Sequence, residues 1–181
     1  MALRVQDPDD SVKSQAKSRL LSHLLQSAFF ASLRTDQQLG YVVQVHSGPV
    51  YRRGGVTFVI QSPVAPTDVL EQKIVDFVDH QIRVIEAFTK KDFDVHKRGL
   101  IDILLESDKN LSDRSSRYWN DLDLGVHTFD SNQKIADEVA NLSKRDMAIF
   151  IRWIRSSLED ERLLVFSRGK FDTVPVNGAP L

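Results

Sequence analysis

The order in which apolar periodicities follow one another is the tightest constraint on what this chain can fold into. From near Ser11 to near Leu33, apolar residues recur at helical spacing at Val12, Ala16, Leu20, Leu24 and Ala28, with Leu21, Leu25 and Phe29 beside them. That stripe is wide enough to cover the face of a sheet. Two runs rich in β-branched residues come next, Tyr41 to His46 and Val56 to Gln61, with Ser47-Gly48-Pro49 and Gly54-Gly55 between them. Runs of this kind bounded by breakers predict a hairpin, here with a long loop. Pro63 and Pro66 stop the second run, and from there the pattern is helical until Arg162 to Ser167, where Leu163, Leu164, Val165 and Phe166 read as a buried strand. Leu3 to Gln6 supplies a short strand at the start. Early strands, a run of helices and one late strand exclude alternating βαβ units. The expectation is an α+β fold, a mainly antiparallel sheet covered on one face by several helices.

Capping chemistry places the helix starts. Asp7-Pro8-Asp9-Asp10 is a turn that leads into the first helix, and Thr67 is the expected cap of a second, with Leu70, Ile74, Phe77, Val78, Ile82 and Ile85 facing the core. Thr89-Lys90-Lys91-Asp92 and Ser143-Lys144-Arg145-Asp146 both have the form of a capping box. The first opens a helix with Phe93, Leu100, Ile103 and Leu104 on its buried side and Gly99 inside it, the second a helix with Met147, Phe150, Ile151 and Ile154 on its apolar face. Between them, Ser112 or Asp113 starts a helix carrying Tyr118, Trp119 and Leu122, and Ser131 a short one with Ile135 and Val139. Residues 1–171 are expected to form a single domain, and the Pro, Gly and Asn content of 172–181 marks a tail.

Composition narrows the function classes. A chain of 181 residues is long enough for one substantial core. Its formal net charge of −1 supplies no field that would recruit nucleic acid or an acidic membrane. No apolar run approaches the ~18 residues of a membrane span. The absence of cysteine removes disulfides, thiolate metal sites and a cysteine nucleophile together.

One stretch speaks to chemistry: Leu33-Arg34-Thr35-Asp36-Gln37-Gln38-Leu39-Gly40-Tyr41, where the chain leaves the long helix and enters the hairpin. Arg34 offers a fixed fork of donors suited to carbonyl or carboxylate oxygens, and Tyr41 a phenolic hydroxyl able to donate to an oxyanion. The plainer reading is that Arg34 neutralises a helix C-terminus and Tyr41 is a half-buried strand aromatic. Tyr51, Arg52 and Arg53 at the hairpin loop read as a solvated loop end. The five histidines, His23, His46, His80, His96 and His127, are isolated in sequence, so a metal site would have to be assembled from separate elements. No G-x-S-x-G elbow occurs, and Gly54-Gly55 closes a hairpin instead of opening a phosphate-binding helix.

The Leu33–Tyr41 run, followed by Val42-Val43 and by Phe58-Val59-Ile60-Gln61-Ser62, resembles the C-terminal region of the pitrilysin and insulin-degrading-enzyme family of inverzincin zinc metallopeptidases. Tyr118-Trp119 and Leu142-Ser143-Lys144-Arg145-Asp146-Met147 are similar to the same family's fourth domain, so the resemblance runs from about Leu3 to about Phe171. The family's zinc motif, H-x-x-E-H, is absent from this chain. What the resemblance implies is a non-catalytic C-terminal domain of a zinc metalloendopeptidase. Zinc and its ligands would lie in the N-terminal half of a longer parent, and this domain would close a chamber around peptides small enough to be enclosed. By the same resemblance Arg34 would reach toward a substrate carbonyl and Tyr41 toward the tetrahedral oxyanion. The isolated chain is then expected to bind no zinc and cleave no peptide.

Two other readings stand beside this one. In a peptide-binding or assembly module, an inactive relative would keep the chamber without the zinc, although Arg34 and Tyr41 have no evident use there. In a free-standing helical adaptor, the match over most of the chain would have no meaning. The resemblance also implies N-terminal sheet residues that this chain lacks. That gives the expectation of an exposed edge at Leu3–Gln6 through which the chain self-associates. The family occupies the periplasm, the cytosol and organelles, and the periplasm is taken as the expectation.

Overall fold

A computed structural model of the chain describes residues 1–167 and 169–171, so the tail assigned to 172–181 lies outside it. The elements, in order, are β1 (Ala2–Gln6), α1 (Val12–Phe29), a π-helical turn (Phe30–Asp36), β2 (Val42–Ser47), β3 (Gly55–Gln61), α2 (Thr67–Ala87), α3 (Lys90–Leu104), α4 (Leu111–Asp123), α5 (Ser131–Asn141), α6 (Lys144–Asp160) and β4 (Arg162–Val165). The strands form one antiparallel sheet in the order β2-β3-β1-β4. Helices cover one of its faces. The α+β expectation therefore describes the fold.

Strand alternation decides which face is covered. Leu164, Leu3, Phe58 and Val45 stand opposite one another across the four strands, and Val5–Val56 and Val43–Ile60 form the neighbouring pairs. Of this set only Leu164 is not fully buried. The intervening row, Leu163, Arg4, Thr57 and His46, occupies the other face, where Arg4 donates to Thr57 Oγ1 at 3.1 Å and to the Gly48 carbonyl at 2.8 Å. α1 lies on the covered face and buries Leu20, Leu21, Leu24, Leu25 and Phe29 between the sheet and the neighbouring helices, each contributing about 1.5–3 kcal/mol of apolar burial. α1 also packs against α3, α5 and α6, and α2 pairs with α6.

The helix ends are closed as the sequence implies. Ser11 caps α1 by accepting from the Ser14 amide at 3.2 Å. Both capping boxes form, Thr89 with Asp92 and Ser143 with Asp146. Lysines finish the other ends: Lys144 Nζ donates to the Glu86 and Phe88 carbonyls at the end of α2, and Lys97 Nζ to Ala140 and Leu142 at the end of α5. Two starts differ from expectation. Pro66, not Thr67, holds the cap position of α2 and offers no side-chain bond, and α4 begins at Leu111, with Asn110 accepting from the Asp113 amide at 2.9 Å.

Two strand assignments are corrected. β1 was expected at an exposed edge, but it is an interior strand, paired to β3 on one side and β4 on the other. Its ladder groups are therefore taken, and self-association through Leu3–Gln6 is withdrawn. β4 was expected to be buried. It is an edge strand with Leu163 and Val165 exposed, because the helices cover only the face toward which Leu164 points. It is anchored by Arg162, which donates to Glu71 at 2.7 Å and to the Leu158 and Glu159 carbonyls at the end of α6.

One half-buried histidine in the helical layer is expected to couple folding to pH. The His23 ring on α1 lies 6.2 Å from that of His96 on α3, and His96 stacks on Phe88. Burial, and secondarily His96, lowers the His23 pKa below its ordinary 6.5. A histidine whose folded pKa is depressed contributes stability that is complete above its unfolded value and is lost as pH falls through and below it. The urea midpoint is thus expected to drop between about pH 7.5 and about pH 5.5, and His23→Gln to flatten that drop. Equal slopes in the two proteins would show that this imidazole does not contribute.

Candidate functional site

The site is built by the way α1 ends. Phe29 is wholly buried, its ring 5.5 Å from Phe58 on β3 and 5.0 Å from Phe77 on α2. Beyond it the α-helix does not run on to Leu33 as the periodicity predicts, because it widens into the π-turn. The turn closes with the Gln37 amide on the Ser32 carbonyl at 3.1 Å and the Leu39 amide on the Leu33 carbonyl at 2.9 Å. Leu33 stays buried and holds the turn against the core. Gln38 then takes a left-handed conformation, φ 52°, which reverses the chain toward the sheet.

Gly40 completes the reversal. It is buried beside the end of β3, and a β-carbon there would lie far inside van der Waals contact with the Gln61 carbonyl oxygen. Only glycine allows the two backbones to approach so closely. The Tyr41 amide meanwhile donates to that same oxygen at 3.0 Å, so Tyr41 is fastened to the sheet immediately before β2 begins.

This path brings Arg34 and Tyr41 together, as their place in the sequence predicts. The Arg34 guanidinium carbon lies 5.2 Å from the centre of the Tyr41 ring, and Nη1 donates to the Gly40 carbonyl at 2.6 Å. The cation–ring contact and the bond hold the fork in one orientation. Tyr41 is not the half-buried strand aromatic of the plainer reading: it is 72% exposed. Its hydroxyl has no hydrogen-bond partner among the described residues. Both side chains border an open hollow of about 500 Å³, shared with Phe30, Thr35, Gln38 and Val64. Sequence reasoning did not single out Phe30, Gln38 or Gly40. Gly40 had a readable signal, a glycine directly ahead of a strand, but its close neighbour Gln61 is distant in sequence.

The other candidates separate. His46 on β2, His80 on α2 and His127 in the turn after α4 are exposed and apart, while His23 and His96 meet as a pair. No group of three or more His, Asp or Glu side chains converges among the described residues. The hairpin loop is tighter than expected. Val50 and Arg53 exchange two 3.1 Å backbone bonds around Tyr51 and Arg52, both left-handed, with Tyr51 90% exposed.

A four-stranded antiparallel sheet covered on one face by helices is the kind of domain found in pitrilysin. The crystal structure of that protein superimposes with a TM-score of 0.74 at 28% identity over 83% of this chain and 16% of its own. The family described as "PQQ synthase PqqF-like, C-terminal lobe domain 4" matches residues 20–119, more than half of the chain, and the chain belongs to that family. Among relatives, the A-factor-processing enzyme of Saccharomyces cerevisiae is 32% identical over 162 residues, 90% of this chain and 16% of that protein. A Schizosaccharomyces pombe protein whose name carries the words "zinc protease" is 30% identical over 148 residues, 82% of this chain and 15% of its own length. The chain thus spans about one sixth of the relatives it matches.

Gly40→Ala tests the geometry. It should destabilise the domain by about 1–3 kcal/mol, the usual range for overpacking a close contact, and shift the Tyr41 and Gln61 amide resonances. Wild-type stability with unmoved resonances would show that the approach is not tight.

Proposed function

We propose that this chain is the non-catalytic C-terminal domain of a zinc metalloendopeptidase that degrades peptides. In this reading it closes the chamber and supplies Arg34 and Tyr41 to a site whose zinc is bound by the N-terminal half. The observation that carries the reading is the joint projection of Arg34 and Tyr41 into one open hollow, one fixed by the Gly40 carbonyl and the other by the Gln61 carbonyl. The names of the relatives support a peptidase as the parent. The metal would supply Lewis-acid activation of water from the other half.

What the residues of this chain do follows from their chemistry. Arg34 keeps donors beyond the one given to Gly40, and these grip a backbone carbonyl of the bound peptide both before and during reaction. The Tyr41 hydroxyl, exposed and with no partner among the described residues, donates to the carbonyl oxygen as it becomes a tetrahedral oxyanion. A donor aimed at charge that develops only in the transition state accelerates the chemical step without tightening substrate binding.

Steady-state kinetics on the full-length parent test this. Tyr41→Phe keeps the ring over Arg34 and removes only the hydroxyl. It should lower kcat on the order of a hundredfold, about 3 kcal/mol, with little change in KM. Arg34→Ala should raise KM as well as lower kcat, and Arg34→Lys should not restore activity, because a point charge on a flexible stem does not reproduce the fork. Wild-type kcat in Tyr41→Phe would defeat the proposal.

A further inference from the structure

Away from the hollow that Arg34 and Tyr41 border, α1 and α6 build a second one. Lys13 and Lys17 lie four residues apart on α1 and so project from one side of it, and Asp146, Phe150 and Trp153 follow one another along α6 at spacings of four and three. The two helices pack together, and the turn after β1 adds Asp7 beside them. These six side chains border a cavity of about 340 Å³, at the small end of the range of about 300–1,000 Å³ typical of small-molecule sites.

Its floor is aromatic and its rim is charged. The Phe150 and Trp153 rings stack with their centres 5.5 Å apart and their planes 23° from parallel, Phe150 buried and Trp153 half-buried. Lys17 Nζ lies 5.3 Å from the centre of the Phe150 ring and 3.9 Å from Asp7 Oδ2, too far for a hydrogen bond. Neither the Lys13 nor the Lys17 ammonium donates a hydrogen bond among the described residues. Asp146 Oδ2 accepts from the Ser143 amide and hydroxyl, while Oδ1 has no partner among the described residues. The bonds from Ser143, and after them the two lysines, hold the Asp146 carboxyl below the ordinary carboxylate range. Two ammonium groups and two carboxylates therefore stand over one apolar floor with bonding capacity to spare.

We propose that this cavity binds a free amino acid with an apolar side chain, such as phenylalanine. Charge selects the class. A ligand that is only an anion meets Asp7 and Asp146 along with the lysines, and one that is only a cation meets the lysines along with the carboxylates. A zwitterion answers both signs: its carboxylate accepts from Lys13 and Lys17, its ammonium donates to Asp146 Oδ1 and Asp7 Oδ2, and its side chain lies on the Phe150 and Trp153 rings. The small volume suits one residue better than a length of peptide. The site shares no residue with the Arg34 and Tyr41 assignment, and neither depends on the other.

Calorimetric titration of the full-length parent with L-phenylalanine tests the proposal. Saturable binding is expected, with a dissociation constant on the order of 1 mM or below. 3-Phenylpropionate, which lacks the ammonium, and phenethylamine, which lacks the carboxylate, should each bind about tenfold more weakly or worse, as should phenylalanine to Lys17→Met and Trp153→Leu. Lys13→Gln alters an exposed side chain, so its weakened binding reads the site even where the other two variants fail to fold. No saturable binding, equal affinity for the three ligands, or wild-type affinity for phenylalanine in Lys13→Gln and in every other variant that folds would each overturn the proposal. None of these readouts depends on turnover, so failure here is distinguishable from failure of the peptidase reading.

Discussion

The contact of Phe29 with Phe58 and Phe77 is the point from which the end of the domain that carries Arg34 and Tyr41 is set. Three elements meet at one buried ring: the last residue of α1, the middle of β3 and the buried side of α2. Losing that ring would open a cavity of the kind that costs about 3–5 kcal/mol. It would also free the end of α1, from which the π-turn departs. A π-turn rotates the chain less per residue than an α-helix does, so Arg34 emerges on a different side than a continued α-helix would give it. Leu33, buried in the same turn, prevents the segment from swinging.

From there the geometry runs through backbone rather than side chains. Gly40 lets the chain touch the end of β3, and the Gln61 carbonyl receives the Tyr41 amide. Arg34 in turn bonds the Gly40 carbonyl, so the motif closes on itself. Arg34 and Tyr41 are thus held by the π-turn and by the tight reversal ahead of β2, in an arrangement set by the fold's own bonds. At the far end of α1 another glycine does similar work: a β-carbon at Gly54 would meet the Ser14 carbonyl and Ser18 Oγ at 2.6 Å each, so the returning hairpin can lie flat on the helix.

Where a local rule sufficed, the sequence was legible. The apolar stripe of α1, the two β-branched runs and both capping boxes led to the right elements, because periodicity and capping act over three or four residues. Arg34 and Tyr41 were legible as neighbours for the same reason, being seven residues apart. The misreadings required knowledge of pairing. β1 was placed at an edge because nothing in Leu3–Gln6 states that β4, some 160 residues later, lies beside it. β4 was read as buried because Leu163, Leu164 and Val165 are alike in type, and only the one-sided helix layer distinguishes them. The π-turn escaped notice because its apolar residues fit an α-helix equally well.

The central claim is that Tyr41 acts on the transition state and not on the substrate. The most direct measurement compares a phosphinic peptide, whose tetrahedral phosphorus carries the oxygen where the oxyanion forms, with a substrate peptide of the same sequence. Both are bound to the full-length parent with and without Tyr41→Phe. The account predicts that the substitution weakens the phosphinic peptide on the order of a hundredfold and leaves substrate affinity within about twofold, since transition-state analogues report interactions absent from the ground state. Equal loss for both ligands, or none for either, would contradict it.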